Sequence, residues 1–328
     1  MKQLARECGF ELAGVAAAES VDDFPRYRQW VEQGFAGEMR YLTDRRAEVR
    51  HDPRNLLENA RSVICVGKLY NTPHPSDPNI SRYAWGEDYH RVMRDGLARM
   101  VELMQCETGP FDHKICVDTA PLLERSYARQ AGLGWIGKNT CLIHEPLGSW
   151  FFLGEIVTSL VLEFDSPVPD RCGTCTRCID ACPTDALVQK GDGEWTLDSR
   201  RCISYLTIEL RGPIPEEHRE GMGAHIFGCD ICQDVCPWNR RAPFTAEAAF
   251  FPRPSSDLET FAKLSPQVFD HTLGESPIAR ARLTGLLRNV AVAMGNERLE
   301  RFREPLEDLA SSADESVAEH ARWALGKL

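Results

Sequence analysis

Two cysteine-rich motifs constrain this chain more than any other feature of its sequence. The first reads CGTCTRCIDACP over residues 172–183, and its ending returns as CDICQDVCP over residues 229–237. The first motif has the C-x2-C-x2-C-x3-C-P spacing of proteins with two [4Fe–4S] clusters, in which the fourth cysteine binds the other cluster. Two structural zinc sites are the alternative, but zinc sites do not usually need two C-x3-C-P endings. The motifs therefore predict a ferredoxin-like segment.

The second cluster needs a fourth cysteine that the later motif does not supply. A plain ferredoxin would carry it at position 226, where this chain has Ile226, and Cys202 is the candidate nearby. The spacing then predicts two sets of ligands. The first cluster takes Cys172, Cys175, Cys178 and Cys236, and the second takes Cys182, Cys202, Cys229 and Cys232. Between the motifs we expect a β-hairpin over residues 186–197, with its turn at residues 191–193.

The rest of the composition is that of an ordinary globular protein. The chain has 328 residues, a net charge of −11 and 43% hydrophobic residues. The negative charge argues against a general polyanion binder, although a local basic patch is compatible with it. No apolar run approaches the ~20 residues that span a bilayer, and no export leader is visible. Clustered cysteines fit metal binding in a reducing compartment, so we expect a cytoplasmic monomer with no membrane contact.

Three segments with different patterns predict three domains. Residues 1–165 alternate strand and helix patterns, which predicts a layered α/β sheet domain. Residues 166–241 form the ferredoxin-like domain with two [4Fe–4S] clusters. Residues 242–328 contain short amphipathic helix patterns in antiparallel order, which look like a HEAT-type helical unit. The expected fold class is therefore mixed, with α/β and α+β parts followed by an α-helical repeat.

Two features of the first segment have both a structural and a functional interpretation. GLGWIG, residues 132–137, matches a dinucleotide-binding fingerprint, but it follows a helix pattern and leads into a strand, the reverse of what that fingerprint needs. It is either a packing turn or a turn that approaches a bulky ligand. Asp118 ends a strand pattern shortly before Pro121, so it is either the N-cap of a helix or a catalytic acid.

The C-terminal segment carries a local excess of positive charge. Residues 280–303 contain six arginines against two glutamates, although the whole chain is acidic. Such side chains form either a solvated helix face or a surface that contacts phosphate groups. The residues alone leave both interpretations open.

Many short motifs, taken together and in order, resemble those of the epoxyqueuosine reductases. They include GEMRYLTDRR, DPRNLL, RYAWGEDYH, VDTAPLLER, GLGWIGKNTCLI, GSWFFLGEI, CISYLTIE and GCDICQDVCPWN, and they extend to about residue 241. The resemblance implies an oxidoreductase that reduces epoxyqueuosine to queuosine in the anticodon loop of tRNA, the last step in making this base. It also implies cobalamin in the N-terminal domain, supplied with electrons by two [4Fe–4S] clusters.

The resemblance also assigns roles to individual residues. Asp118 becomes the proton donor to the epoxide oxygen, and we expect burial to raise its pKa and keep it protonated. The expected corrin contacts are Arg40, Tyr83, Asp88, Lys138, Asn139 and Thr140. The expected contacts with the tRNA backbone are Arg280, Arg282 and Arg288. The identity of the electron donor protein stays open.

Two other functions share part of this pattern. A corrinoid iron–sulfur reductive dehalogenase would act on a small molecule and would not need a basic helical tail. A ferredoxin-type electron carrier would not need residues 1–165 with their VDTAPLLER and GLGWIGKNT motifs. A loss of activity when Asp118 is replaced, with both clusters intact, would exclude the hypothesis that the protein is only an electron carrier.

Overall fold

A four-stranded antiparallel sheet organises the first half of the chain. The structure, a computed structural model, describes residues 1–73, 79–191, 193–253 and 257–328. Its strands are β1 (Leu12–Ala17), β2 (Ser62–Leu69), β3 (His113–Cys116), β4 (Trp135–Ile136), β5 (Leu142–Ile143), β6 (Phe151–Thr158), β7 (Leu187–Gln189) and β8 (Trp195–Leu197). The main sheet has the order β1-β2-β6-β3, with every neighbouring pair antiparallel. The pairs β4–β5 and β7–β8 are separate ladders.

Helices occur in all three parts of the described chain. In the first half they are α1 (Lys2–Glu7), α2 (Phe24–Glu32), α3 (Arg46–Val49), α4 (Tyr89–Thr108) and α5 (Glu124–Gln130). In the cysteine-rich segment they are α6 (Arg177–Asp180), α7 (Ile203–Ile208), α8 (Glu216–Arg219) and α9 (Ile231–Asp234). The C-terminal helices are α10 (Leu258–Ala262), α11 (Pro266–Leu273), α12 (Arg282–Glu297), α13 (Arg303–Ala310) and α14 (Glu315–Leu325).

The main sheet is covered on both faces. Every residue of β2 is buried, as its apolar and β-branched sequence predicts for a central strand. Because side chains alternate along a strand, Val63 and Cys65 lie in the core beneath α5, whereas Ile64 and Val66 lie in the core beneath α4. The layered α/β arrangement expected for this part of the chain is therefore confirmed.

The cysteine-rich segment joins the sheet to the C-terminal helices. The expected hairpin is present as β7 and β8, paired from Leu187–Leu197 to Gln189–Trp195. Asp192, at its expected turn, lies outside the described residues. The core of the C-terminal helices also takes in Ile80, Trp85 and Phe227 from earlier parts of the chain. Hydrophobic packing thus continues across the expected boundary at residue 241.

Several helix boundaries differ from those that the sequence predicts. The helix expected to open at Pro121 begins at Glu124, with Leu123 as its N-cap residue, so Asp118 does not cap it. Asp314 does cap α14, since its carboxylate accepts the backbone N–H groups of Ser316 and Val317. In the described part of the chain, no helix is long and apolar enough to cross a membrane.

Candidate active site

Four of the predicted cluster ligands surround one cavity. The cavity has a volume of about 240 Å³, and its lining includes Cys172, Cys175, Cys178 and Cys236. Cys178 lies in α6, whereas Cys236 precedes a 3-10 turn more than fifty residues later in the chain, so two distant segments meet here. Four thiols around one cavity are the donor set that a [4Fe–4S] cluster takes. The structure therefore brings together the set predicted for the first cluster.

The cysteines predicted for the second cluster are also neighbours. Burial and the nearby thiols of Cys202 and Cys182 raise the pKa of Cys229 to about 12. Cys232, three residues after Cys229, also lies close to Cys202 and forms a hydrogen bond with the thiol of Cys141. Cys141 carries no role in the sequence interpretation, and no simple spacing rule connects it with the motifs.

Two residues expected at the corrin donate hydrogen bonds to the cysteine loops. The Lys138 ammonium donates to the carbonyl oxygens of Gly173 and Cys175, at 2.7 and 2.9 Å. The side-chain amide of Asn139 donates to the carbonyl oxygen of Cys232 at 3.3 Å. These donors satisfy backbone groups that turn around the predicted clusters. Contact of either residue with a corrin stays a proposal, whereas this tethering role was missed by the sequence interpretation.

The glycines of GLGWIG are explained by internal packing. A Cβ atom at Gly134 would lie 2.2 Å from the carbonyl oxygen of Ile143, and one at Gly137 would lie 2.6 Å from the Ile143 side chain. Both contacts are between β4 and β5 or just beside them, where the chain folds back on itself. The motif also follows α5 and leads into β4, as expected. The packing interpretation therefore accounts for these two glycines.

Asp118 lies in an exposed loop directly after β3. Its φ is 52°, in the left-handed region that residues other than glycine rarely adopt. Asp118 Oδ2 is 3.4 Å from His90 Nε2, and His90 Nδ1 is 2.7 Å from Asp88 Oδ1. Asp88 also caps α4 by accepting the backbone N–H of His90 at 3.0 Å. The start of α4 and the end of β3 thus create a chain of three titratable groups.

The expectation that burial keeps Asp118 protonated is wrong for this conformation. Burial by itself would raise the pKa, but the hydrogen bond to His90 and the positive charges of His90, Arg280 and Arg125 lower it overall. The side chain is 52% exposed, so the loss of hydration is incomplete. For His90 the balance is reversed: burial would lower the pKa, but the carboxylates of Asp118 and Asp88 raise it. The proton of this pair therefore rests on His90.

Aromatic and polar side chains border the same surface. Tyr83 is half-buried and packs edge-on against Tyr89 at 6.3 Å, and burial, followed by the charge of Asp118, raises its pKa. Arg125 donates to the carbonyl oxygen of Thr140, which ties the start of α5 to the GLGWIGKNT turn. Exposed Arg40 opens the 3-10 turn Arg40–Leu42. Tyr83, Asp88 and Thr140 therefore lie close to Asp118 or to its neighbour Arg125.

The three arginines expected to contact tRNA have different environments. Arg280 is partly exposed, forms a two-point ion pair with Glu209 and lies 5.3 Å from the ring centre of Tyr41. Arg282 is exposed, and its charge lowers the pKa of the neighbouring Arg211 after the larger effect of burial. Arg211, Arg280 and Arg282 form a basic surface, and Arg280 is its member near Asp118. Arg211 was missed because it lies outside the arginine-rich stretch of sequence.

Arg288 contradicts the expected surface role. It is only 1% exposed, and its guanidinium donates to the carbonyl oxygens of Leu206, Leu210 and Gly212 at 2.5–3.1 Å. Burial, followed by the charge of Arg211, lowers its pKa to about 10. The charge excess in the sequence could not distinguish this inward-facing residue from its exposed neighbours. Arg288 fastens α12 to the end of α7 and cannot reach a phosphate group.

Two glutamates behind Asp118, of which Glu155 is buried and Glu124 is half-buried, were also missed by the sequence interpretation. Glu155 lies in β6 with no exposed surface, and Glu124 is the first residue of α5. The backbone N–H of Asp118 donates to Glu124 Oε1 at 2.5 Å. A single carboxylic acid within the buried strand FFLGEIVT is the sequence signal that could have drawn attention to this pair, because unpaired acids are rarely fully buried.

Comparison with known proteins identifies relatives of the segment that leads up to Asp118 and of the cysteine-rich segment. The family model "Epoxyqueuosine reductase QueG, DUF1730" matches residues 50–119, and the model "4Fe-4S double cluster binding domain" matches residues 171–239. The second match supports a double iron–sulfur segment over the zinc alternative. The epoxyqueuosine reductase of Xanthomonas campestris pv. campestris is 42% identical over 100% of this chain and 95% of its own length.

Solved structures agree with the sequence comparison. A crystal structure of epoxyqueuosine reductase with an epoxyqueuosine-modified tRNA-Tyr stem loop is 28% identical and superposes with a TM-score of 0.89, covering 99% of this chain and 88% of that one. The enzyme of Bacillus subtilis, with an aspartate-bearing catalytic loop swung out of its active site, is 27% identical with the same TM-score and coverage.

Proposed function

Because the chain belongs to the epoxyqueuosine reductase family, we propose that it reduces epoxyqueuosine to queuosine in the anticodon loop of a tRNA. The reaction is a two-electron, two-proton removal of the epoxide oxygen, which leaves as water. The observation that carries this proposal is the likeness over the whole chain, which includes both the cysteine-rich segment and the surface around Asp118. An electron carrier alone would not need this second part.

The two cysteine sets supply the path for the electrons. Cys172, Cys175, Cys178 and Cys236 would hold one [4Fe–4S] cluster, and Cys182, Cys202, Cys229 and Cys232 would hold the other. Lys138 and Asn139 hold the backbone of both cysteine loops, so they fix the distance between the clusters and the sheet domain. The donor of these electrons would be a separate redox protein.

Cobalamin is the cofactor that this surface would hold. The surface has the mixed chemistry that a corrin with amide side chains needs, because half-buried tyrosines lie beside charged and polar groups. Tyr83, Asp88, Arg40 and Thr140 would provide contacts, as would Lys138 and Asn139 beside the cysteine loops. When bound, cobalamin supplies a strongly reducing cobalt centre, which performs the chemistry that protein side chains cannot.

Asp118 would deliver a proton to the epoxide oxygen. In the free protein the proton of the His90–Asp118 pair rests on His90, as the opposite pKa shifts of the two residues indicate. Exclusion of water by the bound nucleobase would favour the neutral pair, because burial penalises separated charges. The proton would then move to Asp118, and Asp88 would hold the imidazole in place. As in the Bacillus subtilis relative, the aspartate loop would move between two positions.

The basic surface formed by Arg211, Arg280 and Arg282 would hold the tRNA. Arg280 of this surface lies near Asp118, so a stem bound there would place its loop over the active site. An anticodon loop suits such a site, because its unpaired bases can leave the stack and enter a pocket. The C-terminal helices, which resemble a HEAT-type unit, would support this surface through the buried contacts of Arg288.

Mass spectrometry of the tRNA nucleosides tests the proposed reaction. The protein would be purified without oxygen, loaded with iron, sulfide and cobalamin, and given a strong reductant and tRNA that carries epoxyqueuosine. We expect epoxyqueuosine to lose one oxygen atom, only when cobalamin is added. Unchanged epoxyqueuosine with both clusters and cobalamin verified as bound would show that the substrate is a different one.

A further inference from the structure

The buried carboxyl group of Glu155 has no explained role in the sheet. Glu155 lies in the middle of β6, opposite Cys65 of β2 and Cys116 of β3. Its exposed fraction is 0%, and neither carboxyl oxygen has a hydrogen-bond partner among the described residues when it is treated as an ionised acceptor. An ionised, unpaired carboxylate would be very costly at this position. Glu155 must therefore carry a proton or share one.

Glu124 is the acidic group that faces Glu155. Two carboxylates cannot form a hydrogen bond with each other, but a protonated Glu155 can donate its O–H to Glu124. Burial raises the pKa of both residues, and this hydrogen bond raises the pKa of Glu155 further while it lowers that of Glu124. The pKa of Glu124 is about 8, so above this pH the pair keeps a single shared proton, which these effects place on Glu155. Glu124 then accepts one hydrogen bond from Glu155 and one from the backbone N–H of Asp118.

Asp118 needs such an anchor because its backbone is strained. A φ of 52° is unfavourable for an aspartate, and a loop with this conformation persists only where its surroundings hold it. The 2.5 Å hydrogen bond to Glu124 Oε1 holds the strained residue by its own N–H. Loss of this bond would free the loop that carries the proposed proton donor.

We propose that Glu124 is a positioning residue, which fixes Asp118 in its strained conformation, and that protonated Glu155 keeps Glu124 in place. This proposal rests on the proposed function for its catalytic consequence, but the anchoring of Asp118 can be measured without any turnover. Glu155 is fully buried, and the carboxyl group of Glu124 accepts from the backbone of Asp118, so both act through the position of Asp118.

The same pair makes the position of Asp118 dependent on pH. If the shared proton is lost, buried Glu155 and half-buried Glu124 place two negative charges behind that of Asp118, and their repulsion favours release of the loop. The charged and titratable groups that face the pair are Asp118, Arg125, Cys65 and Cys116. Burial raises the pKa of both cysteines, so they stay neutral, and exposed Arg125 offsets only part of the repulsion.

Hydrogen exchange of the Asp118 amide, read by mass spectrometry on the loaded protein, tests the anchor. Glu124→Ala removes the acceptor, so we expect the amide to exchange about ten- to a hundredfold faster than in the wild type. Glu124→Gln keeps a carbonyl acceptor and should restore most of the protection. Equal protection in Glu124→Ala and wild type would overturn the proposal, as would a loss in Glu124→Gln as large as that in Glu124→Ala.

Glu155→Gln tests the role of the shared proton. A glutamine can donate to Glu124 at every pH, so it reproduces protonated Glu155 without titrating. The ratio of exchange rates between wild type and Glu155→Gln cancels the ordinary effect of pH on exchange. We expect this ratio to stay near one at neutral pH and to rise in alkaline solution. A ratio that does not change with pH would refute the pH dependence.

Separate measurement of kcat and KM tests whether the hydrogen bond from Asp118 to Glu124 matters for the reaction. If the proposed function holds, Glu124→Ala should lower kcat about tenfold or more, with KM for tRNA nearly unchanged, and Glu124→Gln should recover most of kcat. If the wild type itself has no reductase activity while the exchange results are as expected, the proposed function is wrong. The positioning of Asp118 by Glu124 is then still supported. Normal kcat in Glu124→Ala with a freely exchanging Asp118 amide would overturn the positioning role.

Discussion

Replacement of Arg288 by methionine separates a structural arginine from a tRNA-binding one. The guanidinium of Arg288 donates to three backbone carbonyls of the segment from Leu206 to Gly212, and to the side-chain oxygen of Asn289. Methionine retains much of the apolar stem but leaves those carbonyls without a donor in the core. The substitution therefore removes hydrogen bonds without creating a large cavity.

The expected loss of stability follows from these contacts. A hydrogen bond to a charged group contributes about 1.5–3 kcal/mol, so three of them set an upper range of about 5–9 kcal/mol. The lowered pKa of Arg288, about 10, shows that burying the charge already offsets part of this gain. We therefore expect Arg288→Met to lower the free energy of unfolding by about 3–5 kcal/mol. At roughly 2 °C per kcal/mol, the melting temperature should fall by about 5–10 °C.

Thermal unfolding and tRNA binding, measured on the same samples, show whether Arg288 stabilises the core or binds tRNA. Arg282→Met is the matched control, because Arg282 begins the same helix but is exposed. The control should keep its melting temperature and lose tRNA affinity, whereas Arg288→Met should lose stability with unchanged affinity below its melting temperature. Unchanged stability of Arg288→Met combined with weaker tRNA binding would refute the core role argued above.

Three further predictions concern the tRNA surface, the His90–Asp118 pair and the glycine turn. Arg211→Ala and Arg282→Ala should each reduce the slope of log affinity against log salt by about one, whereas Arg301→Ala, which changes an arginine paired with Glu259, should leave it unchanged in filter-binding assays. The pKa of His90 is raised and that of Asp118 is lowered, so their ion pair contributes its full stabilisation between about pH 4 and pH 6.5. This stabilisation is lost as the pH rises through the raised pKa of His90 or falls through the lowered pKa of Asp118. His90→Gln should therefore destabilise the protein in chemical unfolding at about pH 6 but not at about pH 9, and an equal loss at both would contradict the ion pair. Gly134→Ala should cost about 1–3 kcal/mol, because its Cβ would lie 2.2 Å from the carbonyl oxygen of Ile143, while Gly212→Ala, with open space around it, should cost far less.

The sequence predicted the parts of this protein that depend on local pattern. The β7–β8 hairpin forms over the residues where it was expected, and the GLGWIG motif follows a helix and leads into a strand as its surrounding pattern indicates. The cysteine spacing also predicted which thiols share one cavity, because spacing within a short loop fixes where its side chains can meet.

Features that depend on tertiary contacts could not be predicted in this way. The pKa of Asp118 is set by His90, Arg280 and Arg125, which come from three separate parts of the chain. Arg288 faces the core and Arg282 faces solvent, although a count of charges treats them alike. Glu124 begins α5, three residues later than the proline that suggested the helix start, and so reaches the backbone of Asp118.

The most direct measurement is a single-turnover reduction of epoxyqueuosine-containing tRNA by wild-type protein and by Asp118→Asn. Both proteins would be loaded with clusters and cobalamin, whose contents are verified by spectroscopy, and the nucleosides would be weighed by mass spectrometry. We predict that wild type forms queuosine, whereas Asp118→Asn binds the tRNA and takes up electrons normally but forms queuosine at least about a hundredfold more slowly. Queuosine formation at the wild-type rate by Asp118→Asn would contradict the central claim that Asp118 delivers the proton.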